Sequence, residues 1–279
     1  MRTVRASLAA LVAAGVLAWG AWPARAAEGA AAPPVDEIVQ KTNYRAYYQG
    51  RDGRAQVSMT IYDAEGRTRG REFTILRRDE QSEGVPDEAF TGPQKFYVYF
   101  HRPADVNKMV FLVWKYLDKD DDRWLYLPAL DLVKRIAAAD KRTSFVGSTF
   151  YYEDVSGRRT TDDTHELVEV TDNYYVLKNT PKDPSAVEFA YYKMWIHRKT
   201  FVPVKTEYYD KQGNKYREYT ALKVDEVQGY PTVTKSRMKD LRTGGYTDLE
   251  YASVQYNAGL PDDIFTERYM RQAPRQYLR

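Results

Sequence analysis

The sequence contains no cysteine and only three histidines in 279 residues. The first absence excludes disulfides, a thiolate nucleophile, a cysteine metal site and a lipid-modified cysteine behind a leader. The second leaves His101, His165 and His197, no two of which stand at a metal-ligand spacing, and they read as surface or strand-edge residues. A charge bias is missing as well. Arg2, Arg5 and Arg25 lie in the first 26 residues, where there is no acid, and the remaining chain carries 39 basic against 39 acidic side chains. A neutral chain gives a nucleic-acid partner no electrostatic support. Gly-x-Ser-x-Gly and comparable nucleophile settings are absent too. This census points away from an enzyme and implies no cofactor or metal.

What is present begins with a targeting signal. Arg2 and Arg5 form a charged start, Ala6 to Trp22 an apolar stretch, and Ala24-Arg25-Ala26 a small-x-small cleavage site. Residues 1–26 are therefore expected to be removed, leaving a soluble secreted product of 253 residues, within the range of one all-β domain. Residues 27–34 read as a flexible leader. Val35, Ile38, Val39 and Thr42 then follow at helical spacing, with Pro33 and Pro34 before them and Asp36 and Glu37 in the first turn.

From Arg54 the chain reads as strand after strand. Ala55, Val57, Met59 and Ile61 alternate with polar residues, and Asp63 to Gly66 makes the first turn. Asp210 to Gly213 repeats that turn chemistry in the second half. Met109 to Tyr116 is nearly continuous in apolar residues, so both its faces are expected to be covered. Asp118 to Asp122 resembles a calcium loop, but Arg123 stands where the loop needs glycine and Ala129 where it needs glutamate; it reads as a solvated hairpin tip. A turn at Leu260 to Phe265 leads into a short helix carrying Phe265 and Tyr269. No domain boundary appears after Pro34. The 24 tyrosines suit half-buried pleated surfaces.

The centre of the chain is the stretch from Trp124 to Asp154. A hairpin is expected over Arg123–Leu127 and Leu132–Ala137, followed by an apolar cluster, Phe145, Val146, Phe150, Tyr151 and Tyr152, interrupted by Gly147. The cluster is too short and broken for a membrane span and too apolar for an open loop. It must lie on or inside a sheet, which makes it a candidate plug or lid.

The runs LYLPALDLVKRI and SFVGSTFYYEDV resemble the periplasmic LolA/LolB-like proteins, especially the outer membrane lipoprotein-sorting branch, and the likeness extends from about Asp36 to Met270. The resemblance implies a mainly β fold with a minor α part: a single curved antiparallel sheet forming an open, unclosed barrel, with a few short helices covering or plugging its concave side. Residues 35–279 form that domain. It implies a monomeric periplasmic carrier of lipid or lipoprotein acyl chains, served by an inner-membrane exporter of the resistance-nodulation-division type. It also implies an arginine near a cavity mouth, for which Arg54, Arg71 and Arg135 all stand open. A non-enzymatic envelope adaptor with a filled core is the alternative.

Trp114, Leu125, Leu127, Phe145, Val146, Phe150, Met194, Trp195 and Ile196 either fill a core or line the cavity that a bent sheet with few helices leaves vacant. Val35, Ile38 and Val39, with Gly147 as a flexible point, are the candidate plug residues.

Overall fold

Alternation of apolar and polar residues, interrupted every ten residues or so by turn formers, produces a long antiparallel meander. A computed structural model describes residues 32–80 and 92–279. The unit Pro33–Arg279 holds all the architecture reported below. The expected signal peptide and most of the expected leader fall outside the described residues, as do residues 81–91.

The strands are β1 (Asp52–Tyr62), β2 (Thr68–Asp79), β3 (Gln94–Arg102), β4 (Val110–Lys115), β5 (Asp122–Leu127), β6 (Leu132–Ile136), β7 (Asp163–Val170), β8 (Tyr174–Pro181), β9 (Phe189–His197), β10 (Pro203–Asp210), β11 (Lys215–Val227), β12 (Tyr230–Asp240) and β13 (Tyr246–Tyr256). They form one sheet in the order 6-5-4-3-2-1-13-12-11-10-9-8-7. Every neighbouring pair is antiparallel, and only β1 and β13 pair across a large sequence distance. The chain thus starts mid-sheet, runs out to the β6 edge, crosses to the β7 edge and returns to meet itself. The two edges do not pair, so the sheet is an open barrel.

The expected turns share one device. Asp63 Oδ1 accepts from the backbone N–H of Glu65 and Arg67 at 3.1 and 2.9 Å. Asp210 Oδ1 does the same for Gln212 and Asn214 at 3.0 and 2.8 Å. Such Asx turns tighten a hairpin without strand residues having to bend.

Among the described residues three short α-helices complete the unit: α1 (Val35–Asn43), extended by a π-helical turn at Tyr44–Tyr48, α2 (Tyr152–Ser156) and α3 (Glu267–Arg271). Two irregular segments dress the sheet. Residues 137–162, which carry α2, make the crossing between the edges and lie against the concave face. Residues 257–279, which carry α3, cover the convex face of β2–β5. There Leu260, Ile264, Phe265, Met270 and Leu278 pack with Leu76, Tyr97, Val110 and Leu112. Phe265 precedes α3 instead of riding on it, and is fully buried. Val110 and Leu112 face this outer layer while Phe111 and Val113 face the inner one, which accounts for the unbroken apolar run of β4. Among the described residues no helix is long and apolar enough to cross a membrane.

Candidate functional site

The concave face is only partly filled. Between the sheet, α1 and the crossing segment lies a cavity of about 420 Å³. Met59, Phe73 and Val98 from β1–β3, Leu177, Met194 and Ile196 from β8 and β9, and Met238, Leu249 and Tyr251 from β12 and β13 form its sheet wall. Met194 and Ile196 on β9, and Leu249 and Tyr251 on β13, sit two residues apart along their strands, as the pleat requires of side chains sharing a face. Val39, Thr42, Ala46 and Tyr47 close it from α1 and the π-helical turn; Phe145, Phe150 and Val155 close it from the crossing segment. The surroundings are dry enough that burial pushes the Tyr219 hydroxyl up to about 12.

The crossing segment folds back on itself here. Phe145 N–H donates to Phe150 O at 2.7 Å and Ser148 N–H to Phe145 O at 3.0 Å, with Val146 (φ 50°) and Gly147 (φ 81°) at the centre of the turn. Positive φ suits glycine and strains the β-branched valine, so the tip is held by its surroundings. Those surroundings are of two kinds. On one side Phe145 packs against Phe73, Phe100 and Phe111, with ring centroids 6.3, 5.9 and 5.5 Å away. On the other side the ties are polar. Thr149 N–H donates to Thr247 Oγ1 at 3.0 Å and Thr149 Oγ1 to Met238 O at 2.7 Å. Arg217, which is 1% exposed, pairs with Asp154 and donates to Thr149 O at 2.9 Å.

Arg142 binds Glu153 and grips both oxygens of Glu188 at 2.7 and 2.8 Å. Burial alone would push the Glu188 carboxyl up, but the hydrogen bonds and charge of Arg142 overcome it and hold the group at about 2. Below the segment, Lys115 Nζ donates to Ser156 O at 2.6 Å and lies 5.1 Å from the centre of the Tyr47 ring. Burial lowers Lys115 to about 8. The two coverings meet at Gly157, where a Cβ would stand 2.4 Å from the Tyr47 ring; only glycine admits that approach. Asp121, expected in a solvated tip, instead turns inward to Arg123 at 2.6 Å with its side chain 6% exposed.

Of the residues singled out from sequence, Phe145, Phe150, Met194, Ile196 and Val39 lie on the cavity wall. Trp114 does not: it faces outward on β4, stacks edge-on against Trp124 and donates its Nε1–H to Phe265 O at 2.8 Å. Trp195 is likewise on the convex face, under Lys205 at 4.7 Å, because strand neighbours of Met194 and Ile196 must point the other way. Leu125, Leu127 and Val146 pack in the filled core beside Phe145. Ile38 is fully buried and Val35 half-buried, both off the cavity wall; Gly147 is exposed at the turn. Arg54 borders the cavity and donates to Gln255 and to Arg279 O, whereas Arg71 pairs with Asp105 and Arg135 with Asp122. The sequence reading missed Thr42, His165 and Asn179 as wall residues; the last two are polar side chains on a concave face and carry no apolar signal.

A family model described as "uncharacterized protein" matches residues 92–272, more than half of the chain. No curated protein matches at a significant level. Among solved structures, a DUF1329 family protein from Desulfovibrio piger is 27% identical, with a TM-score of 0.74 over 86% of this chain and 100% of its own. A domain described as an outer membrane lipoprotein-sorting protein, from Vibrio parahaemolyticus, is 26% identical, with a TM-score of 0.73 over 84% of this chain and 97% of its own. A LolA superfamily protein from Nitrosomonas europaea, 21% identical, shares the fold with a TM-score of 0.64 over 85% of this chain and 100% of its own. The half-hollow open barrel, its two coverings and these likenesses together place the chain in the family whose model spans residues 92–272, as a member with the LolA-like fold.

Proposed function

We propose that the chain is a periplasmic carrier that holds the acyl chains of a lipid or lipoprotein in the concave cavity and moves them toward the outer membrane. The observation that carries this reading is the apolar hollow of about 420 Å³ closed by two coverings. Its size falls within the roughly 300–1,000 Å³ of small-molecule sites. An acyl chain entering it gains about 0.8 kcal/mol for each methylene that leaves water, so a chain of a dozen carbons gains on the order of 10 kcal/mol. Binding asks for little beyond a dry concavity, but release must return the same energy. A covering that refills the hollow as the chain leaves supplies part of it, and residues 145–152 and α1 take that role.

The description of the Vibrio parahaemolyticus relative as an outer membrane lipoprotein-sorting protein domain supports the choice of cargo. An inner-membrane exporter of the resistance-nodulation-division type is the donor in this scheme. The chain acts without enzymatic chemistry, and a vacant concave face sets the carrier apart from an adaptor with a filled core.

Organic extraction of the purified protein followed by mass spectrometry tests the proposal. Acyl lipid in near-stoichiometric amount is the expected result. Lipid-free protein that also fails to take up phospholipid from vesicles would sink it. For the covering, hydrogen exchange at residues 145–152 changes when lipid is added; unchanged exchange removes the gating role alone.

A further inference from the structure

The wall of the hollow is not bonded equally along its length. β12 and β13 are 11 residues long each, yet they pair with one another only over Lys235–Lys239 and Tyr246–Glu250. Beyond that point β12 stays with β11 and β13 stays with β1, so the sheet parts between residues 230–234 and 251–256. β8, β9 and β10, by contrast, pair over most of their length.

Bulges build the parting. Ser253 (φ 49°) and Val254 together oppose Ala55 of β1. Leu222 is an extra residue on β11, and Thr234 on β12. Each bulge bends its strand and breaks the regular ladder. Pro231, which has no N–H to offer a ladder, lies in the parted stretch.

Side chains span the gap. Gln228 takes the place of a neighbouring strand: its Oε1 accepts from the Tyr256 N–H at 2.8 Å and its Nε2 donates to Tyr256 O at 3.2 Å. Gln49 Nε2 donates to Pro231 O at 3.0 Å, and Thr232 Oγ1 lies 2.8 Å from the Tyr256 hydroxyl oxygen. The hollow reaches this gap, for Thr232 and Val233 on one side and Val254, Gln255 and Tyr256 on the other belong to its wall. On β11, Val224 stands opposite Val233 and is 42% exposed. An apolar path thus joins hollow and surface across one strand spacing, about 4.8 Å.

We infer that the gap between β12 and β13 is the doorway through which an acyl chain enters and leaves the hollow, with Gln228, Gln49 and the Thr232–Tyr256 pair as its clasp. The inference rests on the carrier reading and adds the route that reading leaves unspecified. Parting two laddered strands breaks a run of backbone hydrogen bonds and turns the freed groups toward a greasy chain. Opening the clasp breaks a few side-chain bonds instead. Gln228 is exposed, so water replaces its partners at little net cost.

A doorway sets rates in both directions and leaves the end states alone. The test is stopped-flow fluorescence with dansylaminoundecanoic acid, a soluble acyl probe, and the delipidated full chain. In Gln228→Ala, whose side chain is off the cavity wall, uptake and release should both quicken about three- to tenfold, the effect of one or two net hydrogen bonds, with their ratio held within about twofold. Thr232→Val should quicken both as well. Because the natural chain has no cysteine, Thr232→Cys and Tyr256→Cys can be joined by a short bismaleimide. Joining them should slow uptake by the empty protein, and release from protein loaded beforehand, roughly tenfold each. Unchanged rates in the single variants, unhindered uptake by the bridged protein, or affinity lost through faster release alone overturns the doorway and leaves the carrier reading standing. A probe that binds no form of the protein defeats the carrier reading and the inference with it. Thermal melts accompany the variants; if the double-cysteine chain does not fold, the two single variants decide the matter.

Discussion

The two halves of the sheet obey the same strand pattern and are used in opposite ways. On β4 and β5 both faces are covered: phenylalanines from strands and crossing segment fill the inner side, and residues 257–279 seal the outer side. On β8–β10 the inner face borders the hollow, while the outer face bears the stacked pair Tyr191–Tyr209 and lysines over the rings of Tyr191 and Trp195. The irregular segments make the difference. The crossing segment presses its apolar side on the first half, where Lys115 adds a polar tie, and is held to the second half by hydrogen bonds and ion pairs. A greasy contact is strong and indifferent to direction, whereas a polar tie can be exchanged for water or for a ligand group at little net cost. The asymmetry lets one half serve as anvil and the other as mouth.

The largest effect is expected where that contact is apolar. Phe145→Ala removes a ring that is 3% exposed and touches three other phenylalanines. It should cost about 3–5 kcal/mol, a melting temperature lower by roughly 10 °C for a chain of this size. A loss below about 1 kcal/mol would show that the crossing segment is not clamped to the first half, and the comparison between the halves would fail.

A smaller effect is expected at a polar tie, and it carries a pH signature. Glu188 binds Arg142 of the crossing segment and accepts from the Tyr216 hydroxyl at 3.0 Å. Its folded-state carboxyl sits at about 2 against an ordinary value of 4.5. A depressed carboxylate contributes stability fully above the higher value and loses it as pH falls from about 4.5 toward 2. Because the side chain is 35% exposed, solvent screening limits the contribution to about 1–2 kcal/mol. Urea titrations of the natural protein and Glu188→Gln should differ by that amount at pH 7 and converge near pH 2. A gap that persists at low pH would assign the effect to packing instead.

Much of this fold could be read from the sequence, because a strand announces itself locally. Alternation in Ala55 to Ile61 and the aspartate-led turns at Asp63 and Asp210 need no knowledge of distant residues. The aromatic cluster around Phe145 also declared itself, since no exposed loop tolerates Phe145, Phe150 and Tyr152 together. What could not be read is which apolar face has a neighbour. Trp114 and Met194 carry the same local signal, yet one is capped by Phe265, some 150 positions away, and the other borders a void. Periodicity separates the two faces of a strand without saying which one is hollow. Consecutive residues can nevertheless never share a wall, so Met194 and Ile196 exclude Trp195 by the pleat alone. Asn179 was invisible for a different reason: a buried amide in a strand looks like a surface residue until its partners are counted.

The smallest expected change in stability belongs to the hollow half, and it is the most informative. Enlarging a side chain in a packed core usually costs about 1–3 kcal/mol, because neighbours must leave their rotamers. Met194 has no such neighbours on its cavity side. In Met194→Trp the ring extends into existing space and buries apolar area, so stability should change by less than about 1 kcal/mol in either direction. Lipid uptake, measured by extraction or by titration with phospholipid, should fall at least tenfold because the ring occupies the volume an acyl chain needs. The reverse pattern, a destabilised protein that still takes up lipid, would place the ligand outside this hollow. An identical substitution at Phe111 on the filled half should do the opposite, unfolding the protein before it alters binding, since that side chain is fully buried against Phe145 and Tyr152. Whether the same chemical change separates stability from binding on one half and couples them on the other is the point at which the comparison between the halves stands or falls.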